Sequence, residues 1–357
     1  MNNIITYIVA AGAVLGGLDK IFGNKKGYGK KFDEGFHMIG PTALSMVGII
    51  CLSNIISDII GKSIAPVFRF LHIDPAMIAS VFAIDMGGYQ LALNLAEDPL
   101  IGKYAGIILG ATIGCTLIFT IPVGISLIDK EDTEHFTKGV VIGLFMIPFT
   151  LVFGGLISGL SLFQVLYQNI FIFLLAFVCG IGFYKFTRVM IKVFQGYVTV
   201  INILLILGLV IGAVAQITGK VILAELVPLK EAMSIVCSIG VFLLGSLPIT
   251  LFVQRLFQRP ITMLGEKIGL DAAGMTGLIV GCISPLPTLA MLKDMNYKSK
   301  IVNVAFLVSG TSALGAHMGF VATASPNMMN ALLLSKLIGG MLAAGVAIVI
   351  VKNKEKG

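Results

Sequence analysis

The sequence contains little charge. Only 12% of its 357 residues are charged, 57% are hydrophobic, and the mean hydropathy is +0.99. A soluble domain carries about 25% charged residues. Because so few charges cannot cover a water-exposed surface, the composition excludes an ordinary soluble protein and predicts an integral membrane protein without a separate soluble domain. The net charge of +7 comes from lysines that flank apolar runs, so no nucleic-acid partner is expected.

The sequence also lacks the motifs of enzymes and metal sites. It contains no HExxH, GxSxG or phosphate-binding loop, and its four histidines are scattered. All five cysteines lie inside apolar segments and form no CxxC pair, which argues against a disulfide framework or a zinc site. We therefore expect no enzymatic activity, no cofactor and no bound metal.

Apolar segments of membrane-spanning length are abundant. A helix needs about 20 residues to cross about 30 Å of hydrocarbon. Eleven such segments are present, at 2–22, 38–60, 75–96, 103–128, 137–160, 167–188, 195–219, 232–254, 271–294, 299–322 and 328–351. The sequence therefore predicts an all-α polytopic membrane protein. The acidic stretch 129–135 is predicted to be a solvated turn.

Two of these segments are interrupted near their middles. Segment 75–96 contains DMGG at 85–88, and segment 271–294 contains SPLP at 284–287. Paired glycines are poor helix formers, and each proline removes a backbone donor. Each half is about ten residues, or about 15 Å, long, which is half the hydrocarbon thickness. A broken crossing helix or a re-entrant hairpin is therefore expected, with its break at Gly87 and Gly88 or at Pro285 and Pro287.

The charge distribution favours hairpins, because cytoplasmic loops are rich in Lys and Arg. With loop 20–31 in the cytoplasm and both interrupted segments as hairpins, nineteen of the basic residues other than Lys336 lie on the cytoplasmic side and five lie on the outer side. If every segment crosses, the numbers are fourteen and ten. We therefore expect nine full spans, with the N-terminus outside and the C-terminus in the cytoplasm.

The interrupted segment occupies the third place in two groups of five segments. This order predicts two inverted five-element repeats, at 1–160 and 195–357, joined by one linking helix within 161–194. Inverted repeats with interrupted helices that meet near the midplane are typical of secondary transporters. The alternative is a coincidental spacing within a glycine-rich helical bundle.

Polar residues near the breaks are the candidate substrate-binding groups. An acid inside the membrane is a functional candidate by default, and Asp85 ends a half-helix whose dipole already favours a cation. Tyr89 offers a ring face for cation–π contact. The further candidates are Gln90 and Asn94 on one helix face, the hydroxyls of Ser284 and Thr288, and the imidazole of His317. The alternative for each is packing or hydrogen bonding between helices.

Lys336 lies well inside an apolar segment, whereas the other basic residues lie in loops or at or near segment ends. Its long side chain is predicted to snorkel to the membrane surface. The alternative is that it serves as a counter-charge to Asp85.

Five stretches resemble the ethanolamine permease family of the bacterial ethanolamine-utilization pathway: FDEGFHMIGPTALSMVGI at 32–49, DMGG at 85–88, MLKDMNYKSKIVNVAFLVSG at 291–310, GAHMGF at 315–320 and KLIGG at 336–340. The resemblance runs along nearly the whole chain and implies a multi-pass permease of the bacterial cytoplasmic membrane. Asp85, Gly87, Gly88 and His317 match the motifs of the family directly, and the turn at 284–287 matches in part. Ethanolamine is a protonated amine with one hydroxyl, so it needs an acid and a hydrogen-bonding partner.

Other functions stay open at this stage. A similar amine is an alternative substrate, and an ion-coupled transporter of another small polar solute is an alternative function. A further alternative, from a different functional class, is a membrane sensor that binds its ligand without transporting it. The expected partners are the small-molecule substrate and the lipid bilayer, and a homo-oligomer is compatible with the sequence.

The topology can be tested by labelling single introduced cysteines with an impermeant thiol reagent. A cysteine at Asn24 should react only from the cytoplasm, whereas one at Glu97 or Asp98 should react only from outside. Cytoplasmic labelling at 97–98 would exclude a hairpin in segment 75–96 and with it the inverted relation of the repeats.

Overall fold

The computed structural model describes residues 2–82, 85–220 and 222–351, and these residues form helices without any β-strand. The α-helices are α1 Asn2–Ile21, α2 Tyr28–His37, α3 Ile39–Ser63, α4 Ala65–Phe70, α5 Ala79–Phe82, α6 Tyr89–Leu95, α7 Pro99–Tyr104, α8 Ile121–Leu127, α9 Thr133–Ser158, α10 Leu162–Gln168, α11 Ile170–Thr218, α12 Leu229–Ile268, α13 Ala272–Gly281, α14 Pro285–Ala290, α15 Tyr297–Gly310, α16 Ala316–Ala324 and α17 Met329–Ile350. Short 3₁₀ turns occupy Pro75–Ile78, Asp85–Gly88, Lys130–Asp132, Leu292–Asp294 and Pro326–Met328. Between α7 and α8 the backbone is π-helical over Ala105–Gly114 and Thr116–Thr120.

Within the described residues, seven helical stretches are long and apolar enough to cross a membrane: Ile4–Ile21, Tyr28–Ser63, Pro99–Leu127, Lys130–Ser158, Ile170–Thr218, Leu229–Leu256 and Pro326–Ile350. Their outer surfaces carry large apolar side chains, and Ile217 and Val349 are more than 80% exposed. Exposed apolar area of this extent is unfavourable in water and is covered by lipid in a bilayer. The chain is a polytopic membrane protein.

Helix α11 is two helices in one run. A straight helix of 49 residues would be about 74 Å long, more than twice the hydrocarbon thickness. The backbone leaves helical geometry at Phe186, with φ −131° and ψ 44°. Phe183 and Phe194 would be about 16 Å apart along a straight helix, yet their ring centroids are 5.3 Å apart. The chain therefore bends back sharply at Phe186, in agreement with two separate segments at 167–188 and 195–219.

Residues 74–98, which we call hairpin 1, return to the point where they begin. Asp74 Oδ1 accepts a hydrogen bond from Ala76 N at 2.8 Å and so caps the first turn. Its Oδ2 accepts from Glu97 N at 3.0 Å and from Asp98 N at 2.9 Å. A single crossing would separate these ends by about 30 Å, so the chain turns back between them. Burial raises the pKa of the Asp74 carboxyl, although the three backbone N–H groups oppose that shift.

Residues 271–296, which we call hairpin 2, are closed in the same manner. Asp271 Oδ1 accepts from Gly274 N at 2.8 Å, and its Oδ2 accepts from Asn296 N at 2.5 Å. The arm α13 is ten residues long, or about 15 Å, which is half the membrane core. Thr288 Oγ1 donates to Gly277 O at 2.9 Å and ties the two arms together. Both segments are interrupted where their glycines and prolines predict a break.

A third interruption was not expected. The prediction of one uninterrupted span over 299–322 is wrong, because α15 ends at Gly310 and α16 begins only at Ala316. The backbone between them pairs with the tip of hairpin 2: Ser312 N donates to Gly281 O at 3.1 Å, and Leu314 N donates to Cys282 O at 2.8 Å. These tertiary hydrogen bonds replace backbone hydrogen bonds that a continuous helix would form across residues 311–315.

The acidic stretch 129–135 is largely exposed, as predicted for a solvated turn, but the prediction is wrong at Asp132. Asp132 is buried, and its Oδ1 lies 2.5 Å from Lys300 Nζ and 3.2 Å from His135 Nδ1. The ion pair joins the start of α9 to the start of α15. A buried carboxylate needs such partners because its desolvation is costly.

The closure of the hairpins can be tested by replacing Asp74 or Asp271 with asparagine. The amide cannot accept all the backbone hydrogen bonds that the carboxylate accepts, and hydrogen bonds to charged groups contribute about 1.5–3 kcal/mol. Each variant should lose stability by about that amount, measured as a lower Tm of the purified protein in detergent. The control is Asp129→Asn, whose exposed side chain makes no capping hydrogen bond. If Asp74→Asn and Asp271→Asn melt like the control, the two carboxylates do not hold the hairpins closed.

Candidate functional site

A cavity of about 340 Å³ lies between α2, α3, α12, the tip of hairpin 2 and the start of α16. One end carries Lys31 and Glu34, which form an exposed ion pair at 2.5 Å. The other end is lined by buried groups that include Met86, Cys115 and His317. The cavity therefore has an exposed charged rim and a buried inner end, and its volume is at the lower end of the range of small-molecule sites.

Two pairs of helix ends meet at the inner end of the cavity. Helices α13 and α15 end at Gly281 and Gly310, while α14 and α16 begin at Pro285 and Ala316. Helix C-termini carry partial negative charge and N-termini partial positive charge. The inner end can therefore interact with a cationic group on one side and with a hydrogen-bond acceptor on the other.

Gly315 makes this arrangement sterically possible. A Cβ atom at this position would lie 2.0 Å from Ile283 O, far inside van der Waals contact. Glycine alone therefore lets the backbone before α16 approach the tip of hairpin 2 this closely.

Of the residues predicted in the second half of the chain, the structure brings Ser284 and His317 to the cavity, together with Pro285 and Pro287. Ser284 caps α14, since its Oγ accepts from Leu286 N at 3.4 Å. His317 is the second residue of α16 and is 1% exposed. Thr288 is not on the cavity wall, because its hydroxyl is engaged between the arms of hairpin 2. Binding roles for these side chains stay predictions.

Hairpin 1 contributes Met86 to the cavity wall, directly after Asp85. The Asp85 side chain lies outside the part of the molecule that the structure describes, so its role stays a prediction. Gly87 faces the backbone of Met46, with 3.7 Å between an added Cβ and Met46 Cα. Tyr89 is buried behind the wall and packs edge-on against Phe320, which lines the cavity, with 5.4 Å between the ring centroids.

Gln90 and Asn94 lie away from this cavity. They do share one face of α6, and Gln90 Nε2 donates to Asn94 Oδ1 at 2.9 Å. Asn94 Nδ2 donates in turn to Asn54 Oδ1 on α3 at 2.8 Å. The two side chains connect hairpin 1 to α3, and a contact with substrate stays a prediction.

Lys336 is fully buried, so the prediction that it snorkels to the surface is wrong. Its Nζ donates to Ala111 O at 2.5 Å, inside the π-helical stretch. A tertiary acceptor in the core replaces the lipid headgroups that a snorkelling lysine would reach. Because the Asp85 side chain is outside the described part, the role of Lys336 as its counter-charge stays a prediction.

Some cavity residues had no signal in the sequence. Cys115 and Phe119 lie in an uninterrupted apolar run, and Met46 and Phe320 resemble any other core side chain. Ser312 was detectable in principle, because it belongs to the small, polar stretch SGTS at 309–312. Asp74 and Asp271 stand just before helix starts, a position typical of N-caps. In the described residues no group of three or more His, Cys, Asp or Glu side chains could hold a metal ion.

The lipid-facing helices, the interrupted segments and the cavity between them are typical of a polytopic membrane protein of the transporter class. The chain belongs to the family described as EutH, ethanolamine utilisation protein, which matches residues 1–350. The relatives of Listeria monocytogenes and Escherichia coli are named as permeases rather than enzymes, as expected from the sequence.

Relatives match over almost their whole length. The "probable ethanolamine permease EutH" of Listeria monocytogenes is 36% identical over 362 residues, 100% of this chain and 97% of that protein. The "uncharacterized protein YxeR" of Bacillus subtilis is 36% identical over 348 residues, 97% of this chain and 94% of that protein. The "probable ethanolamine permease EutH" of Escherichia coli is 30% identical over 394 residues, 99% of this chain and 97% of that protein. No solved structure matches the chain.

The close approach at Gly315 can be tested with Gly315→Ala. The added methyl group must displace Ile283 O and should destabilise the protein by about 1–3 kcal/mol, as overpacking does. The matched control is Gly345→Ala in α17, where an added Cβ meets nothing within 4 Å and helix propensity improves by about 1 kcal/mol. We expect the Tm in detergent to fall for Gly315→Ala and to stay level or rise for Gly345→Ala. Equal Tm values would contradict the contact.

Proposed function

We propose that the protein carries ethanolamine, in its protonated form, across the bacterial cytoplasmic membrane. The observation that carries the proposal is the cavity at the tip of hairpin 2, where helix ends of both polarities meet around a buried space. The relatives from Listeria monocytogenes and Escherichia coli, named probable ethanolamine permeases, support the choice of substrate.

The chemistry of the cavity suits a small amino alcohol. The ammonium group is assigned to the Asp85 carboxylate and to the C-terminal ends of α13 and α15, which favour a cation. The hydroxyl is assigned to Ser284 and His317, which line the cavity beside the start of α16. Tyr89 is assigned a supporting cation–π contact from hairpin 1.

We propose further that residues 1–160 and 195–357 are inverted repeats joined by 161–194. Asp74 and Asp271, which close the two hairpins, are 197 positions apart, and so are Gly48 and Gly245. These glycines make matching contacts: a Cβ at Gly48 would lie 1.9 Å from Leu205 O on α11, and one at Gly245 would lie 2.0 Å from Val9 O on α1. Each half thus places a glycine at a corresponding position against the first long helix of the other half.

The repeat relation and the charge distribution together suggest the direction in which the cavity opens. Its rim residues Lys31 and Glu34 belong to α2, directly after the basic loop that is assigned to the cytoplasm. We therefore propose an orientation with the N-terminus outside and the C-terminus inside, and a cavity that opens to the cytoplasm. In alternating access, hairpin 1 would form the opposite gate.

A second candidate is an ion-coupled carrier of a different small polar solute. The observation that favours this candidate is that α16 begins at the cavity wall. Because helix N-termini favour anions, a solute with a carboxylate group could bind there. Uptake of labelled ethanolamine into proteoliposomes distinguishes the two candidates. Unlabelled carboxylates should not compete with ethanolamine under the first proposal, whereas a carrier of the second kind would take up no ethanolamine.

The role of Asp85 can be tested with Asp85→Asn, which keeps the size of the side chain and removes its charge. Hydrogen bonds to charged groups contribute about 1.5–3 kcal/mol, so ethanolamine affinity should fall roughly ten- to a hundredfold. A neutral analogue without the amine should compete equally well in both proteins. The control is Asp129→Asn, which is far from the breaks in sequence and exposed. Unchanged affinity in Asp85→Asn would exclude Asp85 as the ammonium site.

A further inference from the structure

Lys336 places an ammonium group in the core of the membrane-spanning part of the molecule. The residue lies on α17 and has no exposed surface. Its contacts include Ala111 O at 2.5 Å. A buried cation is costly in an apolar environment, so it is retained only where surrounding groups compensate for its lost hydration.

The ammonium lies behind the inner wall of the cavity. Ala111 precedes Cys115 by four positions, and Cys115 lines the cavity. One turn after Lys336 on α17, a Cβ at Gly340 would lie 2.8 Å from Gly310 Cα, where α15 ends. The amine is therefore close to the interrupted helix ends.

The surrounding groups are typical of a site for a monovalent cation. The C-terminal ends of interrupted helices and their released carbonyl groups coordinate the coupling ion in transporters built from broken helices. Ala111 also belongs to a ten-residue π-helical stretch, a backbone form that is rare and frequent at functional sites.

Two buried hydroxyl groups provide independent support. Thr112 follows Ala111 and Thr311 follows Gly310 directly in sequence, and the two threonines are 0% and 1% exposed. Within the described residues neither hydroxyl oxygen has a hydrogen-bond partner. Buried oxygens without partners are unusual in folded proteins and indicate room for a cation or another donor.

We infer that this region is a cation site that the chain fills with its own lysine, so that the Lys336 ammonium replaces a coupling ion such as Na⁺. Wild-type protein then binds no Na⁺ here, and removal of the side chain leaves a site for Na⁺ or a small alkylammonium ion. This inference does not depend on the identity of the transported substrate.

The test compares full-length wild type, K336A and K336M by thermal unfolding in detergent, with choline chloride replaced by sodium chloride or methylammonium chloride. K336A should be less stable than wild type in choline and should regain about 3 °C or more at saturating Na⁺ or methylammonium. K336M fills the space with an apolar chain and should gain no such shift. A rise in Tm that all three proteins share on exchange of choline comes from cation binding in the substrate cavity. Only the additional rise in Tm of K336A reports binding at the lysine site.

The matched control is K62A, which removes an exposed lysine of α3 and should behave like wild type. A K336A protein that shows no excess shift over wild type and K336M would overturn the inference. Should K336A fail to fold in choline, it is purified with methylammonium present throughout. Recovery of folded protein under that condition supports the cation site, and failure to recover it overturns the inference.

Discussion

Every backbone N–H and C=O group inside a bilayer needs a partner within the protein, because the hydrocarbon offers none. A continuous helix meets this need locally, and an interrupted one cannot. In the part of this protein that the structure describes, three membrane segments are interrupted, and tertiary contacts meet the need there. Asp74 and Asp271 bind the backbone at the bases of the hairpins, and the break after α15 pairs with the hairpin tip at Gly281 and Cys282.

The same interruptions bring helix ends to the cavity. Each break exposes a helix end inside the membrane, and the breaks of hairpin 2 and of α15–α16 lie side by side. Under the proposed function, the partial charges of these helix ends supply electrostatic selectivity with few ionised side chains, which is consistent with the low charge of the chain. Glycine makes the arrangement compact, since the contact at Gly315 leaves no room for a side chain. Under the proposed function, stability and ligand recognition thus depend on the same backbone contacts.

Much of this architecture was predictable, since its signals are local. The shortage of charge predicts a membrane protein, and the apolar runs predict its helices. The DMGG and SPLP motifs predict two breaks because glycine and proline disfavour helix through their own backbone properties. Ser284, predicted from its place at a break, and His317, predicted as a polar group in an apolar segment, both line the cavity, while their binding roles stay predictions.

The sequence by itself thus determined the class of the protein, its helical segments and two of its three interruptions. Only the tertiary structure revealed the third, where the backbone of SGTSALG is hydrogen-bonded to a hairpin tip that is distant in the sequence. It also placed Lys336 in the core and drew Gln90 and Asn94 to α3. These outcomes depend on residues far apart in the chain. Periodicity and residue type describe only what a segment can do by itself, and a long polar side chain takes whichever partner the fold brings within reach.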